Sequence, residues 1–112
     1  MFLKKFCSDL STYYLPKFTF RFIYWTDCGT DAKIERAQLD GSERIIIVNK
    51  NIIWPTGIAI DYPAKRIYWA DPKASRVESV NTDGRHRHLI KAFNPSKMQM
   101  YSFYKYLFNF IY

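Results

Sequence analysis

The residues whose types and spacing could do chemistry each lack the partner that chemistry would need. His86 and His88 are two apart, which puts two imidazoles on one face of a strand, but a zinc site takes more ligands and no third is visible beside them. Cys7 and Cys28 come without a CxxC or CxxH spacing, so they make neither a zinc knuckle nor a disulfide framework; they could pair with each other, and nothing in the sequence favours it. Asp, Glu and Ser are plentiful, yet no GxSxG elbow, HExxH helix or Gly-rich phosphate loop is present. The sequence therefore predicts no catalytic residue, no metal and no cofactor. What remains is a binding residue: Trp54, in Trp54-Pro55-Thr56-Gly57, offers the large rigid surface typical of an interface anchor.

Composition limits the partners. At 112 residues the chain is one small domain or a piece of a larger one. A hydrophobic share of 48% and an aromatic share of 19% exclude a disordered, highly charged chain. The net charge of +7 sits largely at the ends: residues 23–92 hold 11 basic and 9 acidic side chains. That middle has no basic face, which argues against nucleic acid. Arg85-His86-Arg87-His88 is locally basic and reads as a solvated turn. Neither terminus carries the continuous apolar run of an export signal, and the aromatic segment from Met98 is broken by Lys105 and too short for the roughly 20 residues of a membrane span.

Elements to position Trp54 come from a repeat. Ile23-Tyr24-Trp25-Thr26-Asp27 returns 44 positions later as Ile67-Tyr68-Trp69-Ala70-Asp71. Lys33 to Arg44 matches Arg76 to Arg87 at an offset of 43, one residue having been lost between Asp71 and Val77. A period in the low forties with a slip in a loop marks a repeat array. Apolar residues alternate within each copy, as in strands, and a two-residue alternation cannot keep an apolar face on a helix. Asp40-Gly41 and Asp83-Gly84 signal hairpin turns in which both residues tolerate positive φ. One unit is then a strand over 57–61, a second over 66–70, a third over 76–81 and a fourth over 86–90; Arg44–Val48 closes the preceding unit. Four antiparallel strands at this period make one blade of a β-propeller.

These residues carry a resemblance. IYWTD and IYWAD, KIERAQLDGSERIIIV and WPTGIAIDYPAKRIYWAD, over about residues 22–90, resemble the YWTD (class B) repeats of the low-density lipoprotein receptor family, on the branch of receptor-related Wnt co-receptors and the agrin receptor. The resemblance implies an all-β fold: part of a six-bladed propeller, about two four-stranded blades in an incomplete ring. A partial blade spans 22–53 and a full blade 54–92, with 93–112 as a candidate truncated third blade. There Pro95, Met98 and Met100 follow the loop-and-strand pattern, and Ile111-Tyr112 falls 44 residues after Ile67-Tyr68. Residues 1–21 do not resemble the family and stay unassigned; Phe18 to Phe22 alternates as a degenerate first strand would, an irregular cap being the alternative. Such a partial ring leaves two apolar blade faces open, so marginal stability is expected.

The resemblance also implies roles. Tyr24, Trp25, Thr26, Asp27, Tyr68, Trp69 and Asp71 match residues that hold the fold, the aromatics filling the wedge between blades and the carboxylates receiving turn amides. Trp54 and Thr56 match the ligand-binding top face of the Wnt co-receptor branch, where the tryptophan and the residue after proline recognise short Asn-containing segments of secreted antagonists; Thr56 stands where that branch often has Asn. The implied function is that of a cell-surface receptor whose extracellular propeller binds secreted proteins, Wnt-pathway ligands or antagonists or agrin-like molecules, reaching the membrane only through parts of the full-length receptor absent from this chain. Two alternatives are a propeller hydrolase of the lactonase type and a non-receptor structural propeller. An intracellular WD-type scaffold is disfavoured, because the terminal Trp-Asp dipeptide of such repeats is absent.

Overall fold

The computed structural model describes residues 22–95 and Lys105. Seven strands follow in order: β1 Phe22–Asp27, β2 Lys33–Gln38, β3 Ile45–Val48, β4 Gly57–Asp61, β5 Arg66–Asp71, β6 Arg76–Asn81 and β7 His88–Ala92. They form two antiparallel meanders, a three-stranded sheet β1-β2-β3 and a four-stranded sheet β4-β5-β6-β7. The alternation that the sequence assigns to Phe18–Arg21, the third-repeat signals at Met98, Met100 and Tyr112, and Cys7 lie outside the described residues.

The two sheets are copies of one another down to their irregularities. β1 pairs with β2 from Phe22↔Gln38 to Asp27↔Lys33, and β5 with β6 from Arg66↔Asn81 to Asp71↔Arg76. A bulge interrupts β2–β3 at Ile34/Glu35 and β6–β7 at Val77/Glu78, positions 43 apart. Repeated bulges belong to the design of the blade, since each adds local twist where the sheet meets its outer strand.

Register decides why Tyr and Trp are written side by side. Successive side chains of a strand point to opposite faces. Tyr24 therefore shares a face with Ile34, and that face packs on the opposite sheet's Ile58, Ile60, Ile67, Trp69 and Val80, with Ile47 and Val48 completing the core. Tyr68, one position from Trp69, faces away from that core and joins Ala70 and Val77 on the far side of the second sheet. The aromatic pair thus works from both sides of the seam between the sheets: Tyr24 packs toward the second sheet and Trp69 toward the first. Each large side chain so buried contributes roughly 1.5–3 kcal/mol.

Side chains of both faces are buried in the second sheet, along β5 from Ile67 to Asp71 and along β4 from Gly57 to Ile60. The alternation there is between large and small residues, Ile58 and Ile60 against Gly57 and Ala59, rather than between apolar and polar.

Two expectations about the hairpins are corrected. The fourth strand was expected over 86–90 and runs over His88–Ala92, because His86 has φ 55° and belongs to the turn. His86 and His88 consequently do not lie on one strand face. Within the turn, Asp does not take the positive φ that the Asp-Gly signal implied; its carboxylate does the work instead. Asp40 Oδ1 accepts Ser42 N at 2.9 Å and Asp83 Oδ1 accepts Arg85 N at 2.9 Å, while Gly41 and Gly84 take φ 86° and Glu43 and His86 follow at 51° and 55°.

Candidate functional site

The loop Ile52–Thr56 carries the chain from the outer strand of the first sheet to the inner strand of the second. Its shape is set by Asp71, a carboxylate with no solvent exposure at the end of β5. Asp71 Oδ2 accepts the amide of Ile53 at 2.7 Å, and Oδ1 accepts those of Trp54 at 3.1 Å and Ala74 at 2.9 Å. One buried carboxylate thereby ties together two neighbouring loops, 52–56 and 72–75, and a carboxylate holding several amides is a rigid joint. Thr56 N closes the ladder by donating to Ala70 O at 3.0 Å.

Trp54 is half-buried and Ile53 is 52% exposed. The Lys73 ammonium, from the second loop, stands 4.8 Å from the centre of the Trp54 ring, within cation–π range. Thr56 is 2% exposed, and its Oγ1 has no hydrogen-bond partner among the described residues; it sits behind the loop rather than on it. The surface this loop presents is thus an aromatic ring, an isoleucine and a lysine on a backbone pinned from beneath. Beside it opens a hollow lined by Asn51, Ile52, Ile53, Arg76, Glu78 and Arg87.

The remaining motif residues lie in the sheets. Tyr24, Thr26, Tyr68 and Trp69 are buried, while Trp25 and Asp27 are half-buried. Asp27 Oδ1 accepts Gly29 N at 3.0 Å.

A network that the sequence reading missed surrounds both tryptophans. Arg44 forks onto Glu35, Nε to Oε1 and Nη2 to Oε2, both at 3.0 Å, and lies 5.3 Å from the Trp25 ring centre. Arg87 forks onto Glu78 in the same way at 2.9 Å and lies 5.2 Å from the Trp69 ring centre. The signal was available: Glu35/Glu78 and Arg44/Arg87 are identical in the two copies at the offset of 43.

The copies then diverge. Trp25 Nε1 donates to Glu35 Oε2 at 3.1 Å, whereas Glu78 Oε2 also meets Arg76 Nε at 3.0 Å, and Trp69 Nε1 has no hydrogen-bond partner among the described residues. The position of Arg76 is held in the first copy by Lys33, which pairs with Asp31 at 2.9 Å instead. Arg87 reaches further than Arg44, donating to Lys50 O at 2.5 Å and Asn51 O at 2.9 Å, and Arg76 Nη2 donates to Asn51 O as well. The second sheet's arginines thus latch onto the exit of the first.

Among the described residues, no group of three or more His, Cys, Asp or Glu side chains could hold a metal ion, and no helix is long and apolar enough to cross a membrane.

Comparison with known proteins agrees with this geometry. A sequence model of the low-density lipoprotein receptor repeat class B matches residues 21–62. The chain is 43% identical over 68 residues to the vitellogenin receptor of Solenopsis invicta and 46% identical over 68 residues to the vitellogenin receptor Yl of Drosophila melanogaster, each alignment covering 61% of this chain. It is 36% identical over 67 residues, 60% of its length, to the human low-density lipoprotein receptor-related protein 5-like protein. These alignments span 4%, 3% and 27% of the respective relatives, so the chain represents a small part of the receptors it matches. Among solved structures, a chain of a nidogen/laminin complex superposes with a TM-score of 0.60 at 29% identity, over 69% of this chain and 33% of that one. The twin sheets, the YWTD motifs and these relatives lead to one conclusion: the chain carries low-density lipoprotein receptor class B (YWTD) repeats, the blade units of a β-propeller.

Proposed function

We propose that this chain is part of the extracellular propeller of a cell-surface receptor, and that it binds a secreted protein through the face carrying Trp54. The observation that carries the proposal is the construction of the loop. A hydrophobic ring and Ile53 are held at the surface by a buried carboxylate that fixes their own amides. Ordering such a loop in advance lowers the entropic cost of binding, and a half-exposed Trp is the residue type that most often anchors an interface. Trp54 makes the contact; Thr56, behind it, sets the strand entry. Residues 22–53 and 54–92 act as successive blades, and the motif residues Tyr24, Trp25, Thr26, Asp27, Tyr68, Trp69 and Asp71 hold those blades together. The chain performs no chemistry of its own in this reading.

Wnt-pathway ligands or antagonists, or agrin-like molecules, are one ligand class. A second class is supported by the relatives: two vitellogenin receptors share 43% and 46% identity with the chain, against 36% for the receptor-related protein 5-like protein, which makes a vitellogenin the alternative ligand. Immobilising the full chain and passing over purified vitellogenin and a purified secreted Wnt antagonist tests the proposal. Saturable binding of either supports it and selects between the classes. Binding of neither, together with turnover of lactone or ester substrates, would replace it with the hydrolase alternative.

A further inference from the structure

The turn Thr82–His86 is clamped by two arginines, Arg36 and Arg66, whose hydrogen bonds among the described residues go to neutral acceptors. Arg36 Nη1, from the first sheet, donates to Thr82 O at 3.2 Å. Arg66 Nη2, from β5, donates to His86 O at 3.1 Å, and Thr82 N donates to Lys65 O at 2.9 Å. The other acceptors of Arg66 are neutral, Asn81 Oδ1 at 2.6 Å and Ser79 Oγ at 2.5 Å, and Arg36 lies 4.3 Å from the Phe22 ring centre. Lys65, Arg85, His86 and His88 are all exposed around this turn. Two acids stand near: Asp83, whose Oδ1 receives Arg85 N, and Asp61, which lies opposite Arg66 across β4–β5 but whose Oδ1 receives Ala64 N; the four cations Arg36, Lys65, Arg66 and Arg85 outnumber them. Arg87, the remaining member of the basic run, is committed to Glu78 and to the Lys50 and Asn51 carbonyls.

The blade does not require this charge. The equivalent turn of the first sheet has the same backbone bonds, Gly41 N to Gln38 O and Gln38 N to Ser42 O, and the same pair of positive φ values. Yet it carries Ser42, Glu43 and Ile45 where the second carries Arg85, His86 and His88. Both turns display their aspartate, Asp40 or Asp83, but the first adds Glu43 whereas its twin gathers Arg36, Lys65, Arg66 and Arg85. A fixed cluster of cations on a hydrophilic turn suits a stiff polyanion, which needs charge and hydrogen-bond donors rather than an apolar pocket.

We propose that the Lys65–Arg85 turn surface of the second blade binds a sulfated polysaccharide of the glycosaminoglycan class. This rests on the extracellular reading above but uses a surface separate from the Trp54 loop. The test is binding of the full chain to immobilised heparin. Replacing Arg85→Ser, His86→Glu and His88→Ile transplants the first blade's own residues onto an identical backbone, so the turn is preserved. The graft removes one cation and adds one anion at the turn, and is expected to weaken heparin binding about tenfold, as loss of one exposed ion pair together with one new repulsion would. Lys50→Glu, which changes the net charge by the same amount elsewhere, is expected to stay within about twofold on the same reasoning. Trp54→Ala should leave heparin binding unchanged, which separates this site from the protein-binding face. An unaltered graft, an equal loss in Lys50→Glu, or equally tight binding of desulfated heparin or duplex DNA would overturn the proposal. Should the triple variant lose its native circular dichroism, Arg85→Ser alone carries the test, with a loss of about threefold expected.

Discussion

Removing the Asp71 carboxylate should unfasten the candidate site from the blade that carries it. In Asp71→Ala the amides of Ile53, Trp54 and Ala74 lose acceptors now at 2.7, 3.1 and 2.9 Å. A hydrogen bond to a charged group contributes about 1.5–3 kcal/mol net. Loops 52–56 and 72–75 are partly solvated, so water replaces some of that, and the expected loss is about 3–4 kcal/mol. A small domain has only about 5–15 kcal/mol to lose. Asp71→Asn keeps one acceptor oxygen but turns an NH2 group against an amide, and should lose about half as much, by the same bookkeeping. Urea unfolding followed by tryptophan fluorescence gives the global value, and amide hydrogen exchange gives the local one: protection should fall first at Ile53, Trp54 and Ala74. A loss below about 1 kcal/mol, the yield of one ordinary hydrogen bond, with unchanged exchange at those amides, would refute the reasoning. The same change in the first copy, Asp27→Ala, removes only the bond to Gly29 and should cost about 1 kcal/mol.

Other predictions follow from differences between the twin sheets. Arg87→Ala should destabilise by about 2 kcal/mol because it strips a buried Glu78 of its fork, leaving it Arg76 alone, and removes the bonds of Arg87 to the first sheet's exit, whereas Arg44→Ala should cost clearly less because Arg44 is largely exposed, makes no such bonds, and leaves Glu35 its Trp25; paired thermal melts check the order. Gly84→Ala should cost more than Gly41→Ala: both residues sit at φ 86°, where a Cβ is strained by about 1 kcal/mol, but only at Gly84 does the added carbon come within 3.1 Å of a backbone oxygen, Ile47 O. Burial, with the nearby Tyr24 adding to it, raises the Tyr62 hydroxyl from 10.0 to about 12. A group whose folded value lies above its unfolded one stabilises below the unfolded value and loses that contribution as pH rises through the folded one, so stability should fall between pH 10.0 and about 12. Tyr62→Phe should flatten that part of the profile, as ultraviolet titration and pH-dependent melts would show.

How much of this was legible depended on whether the signal was local. The strand order and the blade period were readable because Tyr-Trp-x-Asp, Ile-Glu and Asp-Gly recur at a fixed offset, and register follows once two copies can be laid side by side. The direction in which each aromatic packs was not, since alternation says that Tyr68 and Trp69 face apart but not which neighbour each meets. The fourth strand was placed two residues early because positive φ at His86, a non-glycine, leaves no mark in the sequence. The Glu–Arg forks were visible as identities and went unread, charged side chains at such positions usually being solvated. For the site, Trp54 stood out by type, whereas the burial of Thr56 and the three amides gathered by Asp71 depend on two loops meeting in space. The cationic turn also emerged only in space, since Arg36 and Lys65 are remote in sequence from Arg85.

The claim that the Trp54 face binds a secreted protein is tested most directly by one comparison: the affinity of the full chain and of its Trp54→Ala variant for whichever of vitellogenin and the Wnt antagonist binds, with circular dichroism confirming an unchanged fold. Loss of an anchoring Trp costs about 2 kcal/mol or more, so the account predicts an affinity at least about tenfold weaker. A folded Trp54→Ala variant that binds as tightly as the parent chain would contradict it.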